Sequence, residues 1–136
     1  MKKIMIVDDN YLSAEGIKKN IDWETLNAEI IHVCYNGTSA IEAMKKEPAD
    51  LIISDIEMPD LDGISMSRQA LEINPMVKII LISAYDKFEY ARRALLLGAL
   101  DYIEKPLDYA YLKKKKKNAF ALMEKEQKNL QLLKQS

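Results

Sequence analysis

Short apolar runs rich in β-branched residues alternate along this chain with longer segments of helical length. Nearly unbroken apolar runs are typical of parallel strands that are covered on both faces, because neither face of such a strand meets water. The alternation therefore predicts βα units that form a parallel sheet, with right-handed crossovers and helices on both faces. Five strands are predicted, at residues 4–7, 28–34, 51–54, 78–82 and 100–103.

The intervening segments predict four helices, at residues 11–20, 39–46, 64–74 and 87–97. Ser39 and Glu42 have the spacing of a capping box, so we expect the second helix to begin at Ser39. Asp86 and Glu89 have the same kind of spacing at the start of the fourth helix. A further helical pattern continues from Ala119 toward the end of the chain.

Composition narrows the class of protein. The chain has 136 residues, of which 49% are apolar and 30% charged, a balance typical of a globular protein with one real core. The net charge of −1 creates no overall field toward nucleic acid or anionic lipid. Cys34 is the only cysteine, which excludes an intrachain disulfide framework, and its apolar surroundings predict a buried structural thiol. The apolar run after Met1 is too short for a signal peptide or membrane span, so a cytoplasmic location is expected.

Polar side chains stand at the carboxyl ends of four predicted strands. Asp8 and Asp9 follow the first strand, Asp55 the third and Ser83 the fourth, and Lys105 lies just beyond the fifth. In open α/β sheets, ligands bind outside the carboxyl ends of the strands, near the point where strand order reverses. We therefore expect these five side chains to converge on one edge of the sheet.

The chemistry of this set favours a hard cation and a phosphoryl group. Three neighbouring carboxylates repel one another unless a cation or a proton intervenes. Oxygen ligands alone favour Mg²⁺, which commonly binds one or two carboxylates together with phosphate oxygens. Asp55 beside Mg²⁺ could attack a phosphoryl group, and Lys105 and Ser83 could then contact the transferred oxygens.

Five short motifs occupy these positions: Val7-Asp8-Asp9, Asp55, Met58-Pro59 with Asp62-Gly63, Ser83-Ala84, and Lys105-Pro106. In this order and at these intervals, over about residues 3 to 118, they resemble the receiver domain of bacterial two-component response regulators. The resemblance implies a flavodoxin-like (βα)5 fold, a three-layer sandwich around a parallel five-stranded sheet in the order 2-1-3-4-5.

The resemblance also implies residue roles at the metal. Asp55 would be the phosphorylated residue, and Asp8 and Asp9 would hold Mg²⁺ with it. Glu57 would contribute its backbone carbonyl to the metal. The peptide bond between Lys105 and Pro106 would be cis.

A switching role is implied for two further positions. The hydroxyl of Ser83 would move toward the phosphoryl group, and the ring of Tyr102 would then turn inward. Ser83 and Lys105 would contact the phosphoryl oxygens. Such a network of charge-assisted bonds biases a two-state element and so changes a distant surface.

The implied function is that of a regulatory switch rather than an enzyme. A sensor histidine kinase would phosphorylate Asp55, and the output would be transcription regulation. Four segments resemble receivers fused to AraC-type helix-turn-helix domains: Tyr11-Leu12, Gly16-Ile17, Ile21-Asp22-Trp23 and residues 86–91. DNA would then be bound only through an output domain that lies outside this chain. A stand-alone single-domain receiver is the alternative.

Three other functions compete with this interpretation. A Mg²⁺-dependent phosphatase with an aspartyl nucleophile usually has a second aspartate two residues later, where this chain has Glu57. A flavodoxin-like cofactor domain would need a phosphate-binding loop where Asp8-Asp9-Asn10 is acidic. A degenerate receiver that acts only as an interaction module is disfavoured because all five motifs are intact.

The C-terminal region carries a run of five lysines, residues 113–117. Successive helical residues differ by about 100°, so the run encircles a helix, and one or two lysines must approach the packed face and extend their amines outward. We interpret the run as a solvated helix rather than a DNA contact. Residues 1–118 are assigned to the receiver and residues 119–136 to a helical extension or linker. That extension is either a frayed helix end or a signalling helix that forms a homodimer.

Overall fold

The computed structural model describes residues 1–84, 88–99, 101–105 and 108–135. Its strands are β1 (Lys2–Val7), β2 (Ala28–Cys34), β3 (Leu51–Asp55), β4 (Lys78–Ser83) and β5 (Asp101–Glu104). Its helices are α1 (Tyr11–Asn20), α2 (Gly37–Lys46), α3 (Gly63–Ile73), α4 (Phe88–Leu97) and α5 (Tyr109–Gln135), with a short 3₁₀ helix at Glu24–Leu26. All five predicted strands and all four predicted helices are therefore present.

The strands form one parallel sheet in the order β2-β1-β3-β4-β5. The chain adds β2 on one side of β1 and β3 on the other, so strand order reverses at the β1/β3 boundary. The carboxyl ends of β1 and β3 are neighbours there, since Val7 pairs with Ser54. The predicted fold class, sheet order and parallel arrangement are confirmed.

The sheet lies between two helical layers, and each layer has its own apolar core. Every residue of β3 is buried, because alternate side chains meet opposite layers. Ile52 packs into the cluster beneath α2, α3 and α4, whereas Ile53 packs into the cluster beneath α1 and α5. This double coverage explains why the strands read as continuous apolar runs.

The start of α2 differs from the sequence prediction. The helix begins at Gly37, and the side chain of Asn36 is its N-cap, accepting a hydrogen bond from the backbone N–H of Ser39 at 2.8 Å. The prediction that Ser39 caps the helix was wrong, because Asn36, three residues earlier, accepts from the N–H of Ser39 and so places Ser39 inside the first turn. The predictions made for Asp86, Leu100 and the Lys105–Pro106 bond fall on residues 85–87, 100 and 106–107, outside the described residues.

The C-terminal helix α5 packs along the sheet for much of its length. Ala119 and Met123 are buried, and Nζ of Lys78 lies 2.7 Å from a carboxylate oxygen of Glu126. The expectation that one or two lysines of the run approach the packed face is confirmed by Lys116, which is fully buried. The expectation that its amine reaches outward was wrong, because two aromatic rings cover it. Within the described residues, no helix combines the length and apolarity that a membrane crossing requires.

Candidate functional site

Three carboxylates meet at the carboxyl edge of the sheet. Asp8 and Asp9 directly follow β1, and Asp55 is the last residue of β3. One oxygen from each residue lies within 4.8 Å of the others, although the three residues come from two strand ends 46 positions apart (55 − 9). Asp8 and Asp55 are buried and Asp9 is exposed, so the cluster opens to solvent on the side of Asp9.

Lys105 supplies the positive charge next to this cluster. It directly follows β5, and its Nζ lies 3.1 Å from Oδ2 of Asp8 and 3.9 Å from Oδ2 of Asp55. The first distance corresponds to a hydrogen-bonded ion pair, and the second is a longer electrostatic contact. Lys105 is therefore within reach of the phosphoacceptor candidate but donates its short hydrogen bond to Asp8.

The backbone fixes the relative positions of the three strand ends that carry Asp55, Ser83 and Lys105. The N–H of Ile56, just after Asp55, donates to the carbonyl of Ile82 at 3.0 Å, and the N–H of Lys105 donates to the carbonyl of Ser83 at 2.8 Å. Ser83 is fully buried at the end of β4. These ladder bonds extend the sheet to its edge, so the side chains stand on rigid backbone.

The electrostatic environment of Asp55 disfavours its charged form. Only 7% of the residue is exposed, and burial is the main reason that its pKa rises from 3.8 to about 7. The charge of Asp8 raises this pKa further, Lys105 lowers it, and the hydrogen bond and charge of Asp9 raise it. The one described cation at the site thus leaves the three carboxylates under-neutralised.

This donor set fits a divalent cation. All three groups offer carboxylate oxygens, the ligands that Mg²⁺ prefers. Burial and then the charge of Asp8 raise the pKa of Asp55, and a bound cation would offset both effects. Asp9, as the exposed member, leaves one side of the cluster accessible to water and to an incoming phosphate. Asp8, Asp9 and Asp55 could therefore hold a divalent cation, which would supply charge neutralisation to an incoming phosphate.

The loop between β3 and α3, residues 56–62, closes tightly over the end of β3. A Cβ atom at Gly63 would collide with the carbonyl oxygen of Asp55, so only glycine allows this approach. The N–H of Gly63 donates to the carbonyl of Ile56 at 2.8 Å. Asp62 caps α3 by accepting from Ile64 and Ser65, both at 2.9 Å. The two ends of the loop are thereby joined beside Asp55.

An open cleft of about 420 Å³ lies between this loop and α4. Glu57, the predicted carbonyl ligand, is half-buried in its wall, next to Asp9. The remaining lining residues are Ile56, Met58, Pro59, Asp62, Tyr90 and Arg93. The cleft gives a ligand access to the carboxylate cluster on the side of Asp9.

The switch candidate Tyr102 does not lie in the carboxylate cluster. It is the second residue of β5, pairs with Leu81, and packs half-buried against the core beneath α2, α3 and α4. Ser83 and Tyr102 therefore lie on neighbouring strands, Ser83 at the carboxyl edge of the sheet and Tyr102 within the sheet.

His32 and Cys34 both lie on β2. The Nε2 atom of His32 is 2.9 Å from the carbonyl oxygen of Glu47, and burial raises the pKa of the Cys34 thiol.

Sequence reasoning missed two features of the site. The first is the short Lys105–Asp8 ion pair, since the sequence places both residues at one edge without giving the distance. The second is Asp60, whose carboxylate contacts the start of α2 from the loop after β3. This contact joins residues 22 and 23 positions apart, so no local motif announces it.

The fold and site together define a doubly wound α/β domain with an acidic cluster and a lysine at its switch point. Residues 4–117 match the response regulator receiver domain family. The chain therefore belongs to this family, and the predicted resemblance is confirmed.

Individual relatives agree with this assignment. The chain is 33% identical over 106 residues to the uncharacterized transcriptional regulatory protein YesN of Bacillus subtilis, a match that covers 78% of this chain and 29% of YesN. The receiver domain of AraT, a response regulator from Geobacillus stearothermophilus, is 31% identical with a TM-score of 0.80, over 95% of this chain and 98% of that one. The two-component transcriptional regulator AraC of Clostridium phytofermentans is 30% identical with a TM-score of 0.82, over 95% and 99%. The chain thus spans less than a third of the length of YesN.

Proposed function

We propose that this domain accepts a phosphoryl group on Asp55 from a sensor histidine kinase and transmits the change to an output that regulates transcription. The observation that carries the proposal is the cluster of Asp8, Asp9 and Asp55 with Lys105 beside it. In the transfer, a carboxylate oxygen of Asp55 forms a bond to phosphorus while the bond from phosphorus to the kinase imidazole nitrogen breaks. The electron pair of that bond stays on the nitrogen, so no oxidant or reductant is needed.

Each residue of the site has a separate task in this proposal. Asp8, Asp9 and Asp55 hold Mg²⁺ together with the backbone carbonyl of Glu57. When bound, Mg²⁺ supplies charge neutralisation for the nucleophile and for the phosphoryl oxygens. Lys105 exchanges part of its contact with Asp8 for a phosphoryl oxygen.

Residues 1–118 form the receiver in this proposal, and residues 119–136 lead toward an output domain outside the chain. Leu130 and Leu132 lie exposed on the last turns of α5, where they could contact that domain or a second copy of this chain. The proposed location is the cytoplasm, where the proposed kinase would transfer its phosphoryl group. DNA is bound only through the output domain.

A test of the phosphoacceptor role uses the protein with Mg²⁺ and acetyl phosphate, followed by intact mass measurement. We expect one phosphoryl adduct on the wild type and none on Asp55→Ala, because the variant lacks the attacking oxygen. Asp22→Ala, which removes an exposed aspartate away from the site, is the matched control and should keep the adduct. An adduct that persists in Asp55→Ala would refute the assignment.

The same sample separates a switch from a phosphatase. A switch gives one slowly lost adduct per chain, whereas the phosphatase turns over many phosphomonoester molecules. Glu57 stands where such phosphatases usually carry their acid/base aspartate, which favours the switch. Rapid release of inorganic phosphate from an external phosphomonoester would favour the enzyme instead.

We also propose that Ser83 and Tyr102 couple the phosphoryl group to the surface near α4 and β5. Removing the hydroxyl in Ser83→Ala deletes one charge-assisted bond to the phosphoryl group, so the phosphorylated population of the active state should fall about tenfold or more. The measurement is the NMR shift of the Tyr102 ring with and without the Mg²⁺–beryllofluoride adduct. An unchanged response of Tyr102 in Ser83→Ala would disprove the coupling.

A further inference from the structure

Asp60 connects the loop after β3 to a different element, the N-terminus of α2. One carboxylate oxygen accepts a hydrogen bond from the N–H of Gly37 at 3.2 Å, and the other accepts from the N–H of Thr38 at 3.0 Å. Both amides belong to the first turn of α2, where helical N–H groups have no partner within the helix. The carboxylate therefore joins two segments that the chain itself does not connect locally.

The backbone next to Asp60 makes a second contact with the same turn. A Cβ atom at Gly37 would collide with the carbonyl oxygen of Leu61 and approach its Cβ to 2.7 Å. Only glycine lets the loop and the helix come this close. Two consecutive loop residues thus rest against the start of α2, one through hydrogen bonds and one through packing.

These contacts fix the loop at Asp60 and Leu61, where it meets α2. At Ile56, where the loop leaves β3, it is fixed by the hydrogen bond from the N–H of Gly63 to the carbonyl of Ile56. Glu57, the proposed carbonyl ligand of the metal, lies between these two attachments and three residues before Asp60. The orientation of the peptide after Glu57 therefore depends on both ends of the loop.

The carboxylate of Asp60 keeps its charge at neutral pH, because its pKa is lowered. Hydrogen bonds from Thr38, from its side chain first and then its backbone N–H, hold the pKa of Asp60 well below its ordinary value. The positive end of the α2 dipole also favours a charged carboxylate at this position. Asp60 thus acts as a permanent anion at the helix terminus.

Asp60 is not needed merely to cap α2, because the helix already has an N-cap residue. The side chain of Asn36 is the N-cap of α2 and accepts from the N–H of Ser39. Asn36 lies on α2's own approach segment and has no contact with the loop that carries Glu57 in the hydrogen bonds described. The two side chains serve the same helix end, but only Asp60 also holds the loop.

We propose that Asp60 is a positioning residue, which holds the backbone of Glu57 in the orientation required for metal binding by attaching the β3–α3 loop to α2. The inference rests on the proposed function, because it concerns the affinity of that site for Mg²⁺. Residues that orient metal ligands from outside the ligand shell commonly change metal affinity when they are replaced. The effect is exerted through the backbone and not by contact with the ion.

The test compares the Mg²⁺ affinity of Asp60→Ala with that of two matched controls, by isothermal titration calorimetry. Asn36→Ala removes a cap from the same helix without touching the loop, and Glu42→Gln removes an exposed negative charge from the depression that Asp60 also lines. We expect about tenfold weaker Mg²⁺ binding in Asp60→Ala and changes within about twofold in both controls. Asp60→Asn keeps one acceptor oxygen and should give an intermediate loss.

A second readout separates positioning from general destabilisation. The rate of phosphorylation by acetyl phosphate should recover to within about twofold of wild type when Mg²⁺ saturates Asp60→Ala, because the nucleophile is unchanged. Equal losses in Asp60→Ala and Asn36→Ala, or no loss in Asp60→Ala, would overturn the inference. A wild-type protein that neither binds Mg²⁺ nor forms the adduct would instead refute the proposed function itself.

Discussion

Replacing Asp55 with asparagine should raise the free energy of unfolding of the metal-free protein by about 3 kcal/mol at pH 8. Folding buries this carboxylate beside Asp8 and raises its pKa from 3.8 to about 7, a change of roughly 3 units. Each unit corresponds to about 1.4 kcal/mol, so the full penalty is at most about 4 kcal/mol. Asparagine has a similar shape but no charge, and it therefore avoids most of that penalty.

The pH dependence of this effect has a definite sign. Between about pH 4 and pH 7 the unfolded chain has lost the Asp55 proton, whereas the folded protein retains it. The stability of the wild type should therefore fall as pH rises through this window and become level above it. Asp55→Asn lacks this decline, so the two stabilities should be similar near pH 4 and diverge toward pH 8.

Urea denaturation in the presence of a chelator, followed by the fluorescence of the buried Trp23, measures both curves. Asp22→Asn, at an exposed position away from the site, is the control and should follow the wild type. Adding Mg²⁺ at about 100 times its dissociation constant should stabilise the wild type by about 2.7 kcal/mol. The difference in stability between the wild type and Asp55→Asn should then become smaller. Parallel curves for wild type and Asp55→Asn from pH 4 to pH 8 would contradict the expectation.

The strands could be predicted because burial on both faces leaves a direct mark on the sequence. Residues 51–54 are apolar almost throughout, and the structure buries all of β3 between two helical layers. The site followed from the same architecture, since the carboxyl ends of neighbouring parallel strands must meet. Asp8 and Asp55 are brought together by topology rather than by local sequence.

Contacts that depend on distance between elements could not be predicted. The sequence identifies Lys105 as a partner of the acidic cluster, but only the structure places its amine closer to Asp8 than to Asp55. The sequence around Asp60 indicates only a turn, and its contact with α2 becomes evident in the structure. Asn36 and Ser39 are both good caps by residue type, so local preference alone could not choose between them.

The lysine run, residues 113–117, shows the same limit of sequence-based prediction within a single helix. A rotation of about 100° per residue requires that some member of the run face the sheet. It does not identify what receives the amine. In the structure, Nζ of Lys116 lies 4.2 Å from the ring centroid of Phe120 and 5.1 Å from that of Trp23. No hydrogen-bond acceptor for this amine is found among residues 1–84, 88–99, 101–105 and 108–135.

Replacement of Lys116 therefore gives the second large expected effect on stability. Its pH dependence has the opposite sign to that of Asp55. Burial, with smaller contributions from the charges of Lys113 and Lys117, lowers the pKa of Lys116 from 10.5 to about 8. Below pH 8 the folded protein thus carries a buried charge at a cost of at most about 3 kcal/mol. Between about pH 8 and pH 10.5 the unfolded chain binds this proton more tightly, so this contribution makes stability rise with pH.

Lys116→Met should stabilise the protein by about 1 to 2 kcal/mol at pH 7, because methionine fills a similar volume without a charge. This gain is smaller than the full penalty, since the variant also loses attraction between the ammonium group and the two rings, of about 0.5–2 kcal/mol. Urea denaturation at pH 7 and pH 9.5 should show the gain shrinking at the higher pH, where the wild-type amine is already neutral. Lys114, two residues before Lys116, is exposed on a different face of α5. Lys114→Met should therefore leave the free energy of unfolding within about 0.5 kcal/mol of wild type at both pH values. A loss of stability in Lys116→Met at pH 7 would mean that the ammonium group stabilises α5 on the sheet, contrary to the burial and ring geometry that the structure gives it.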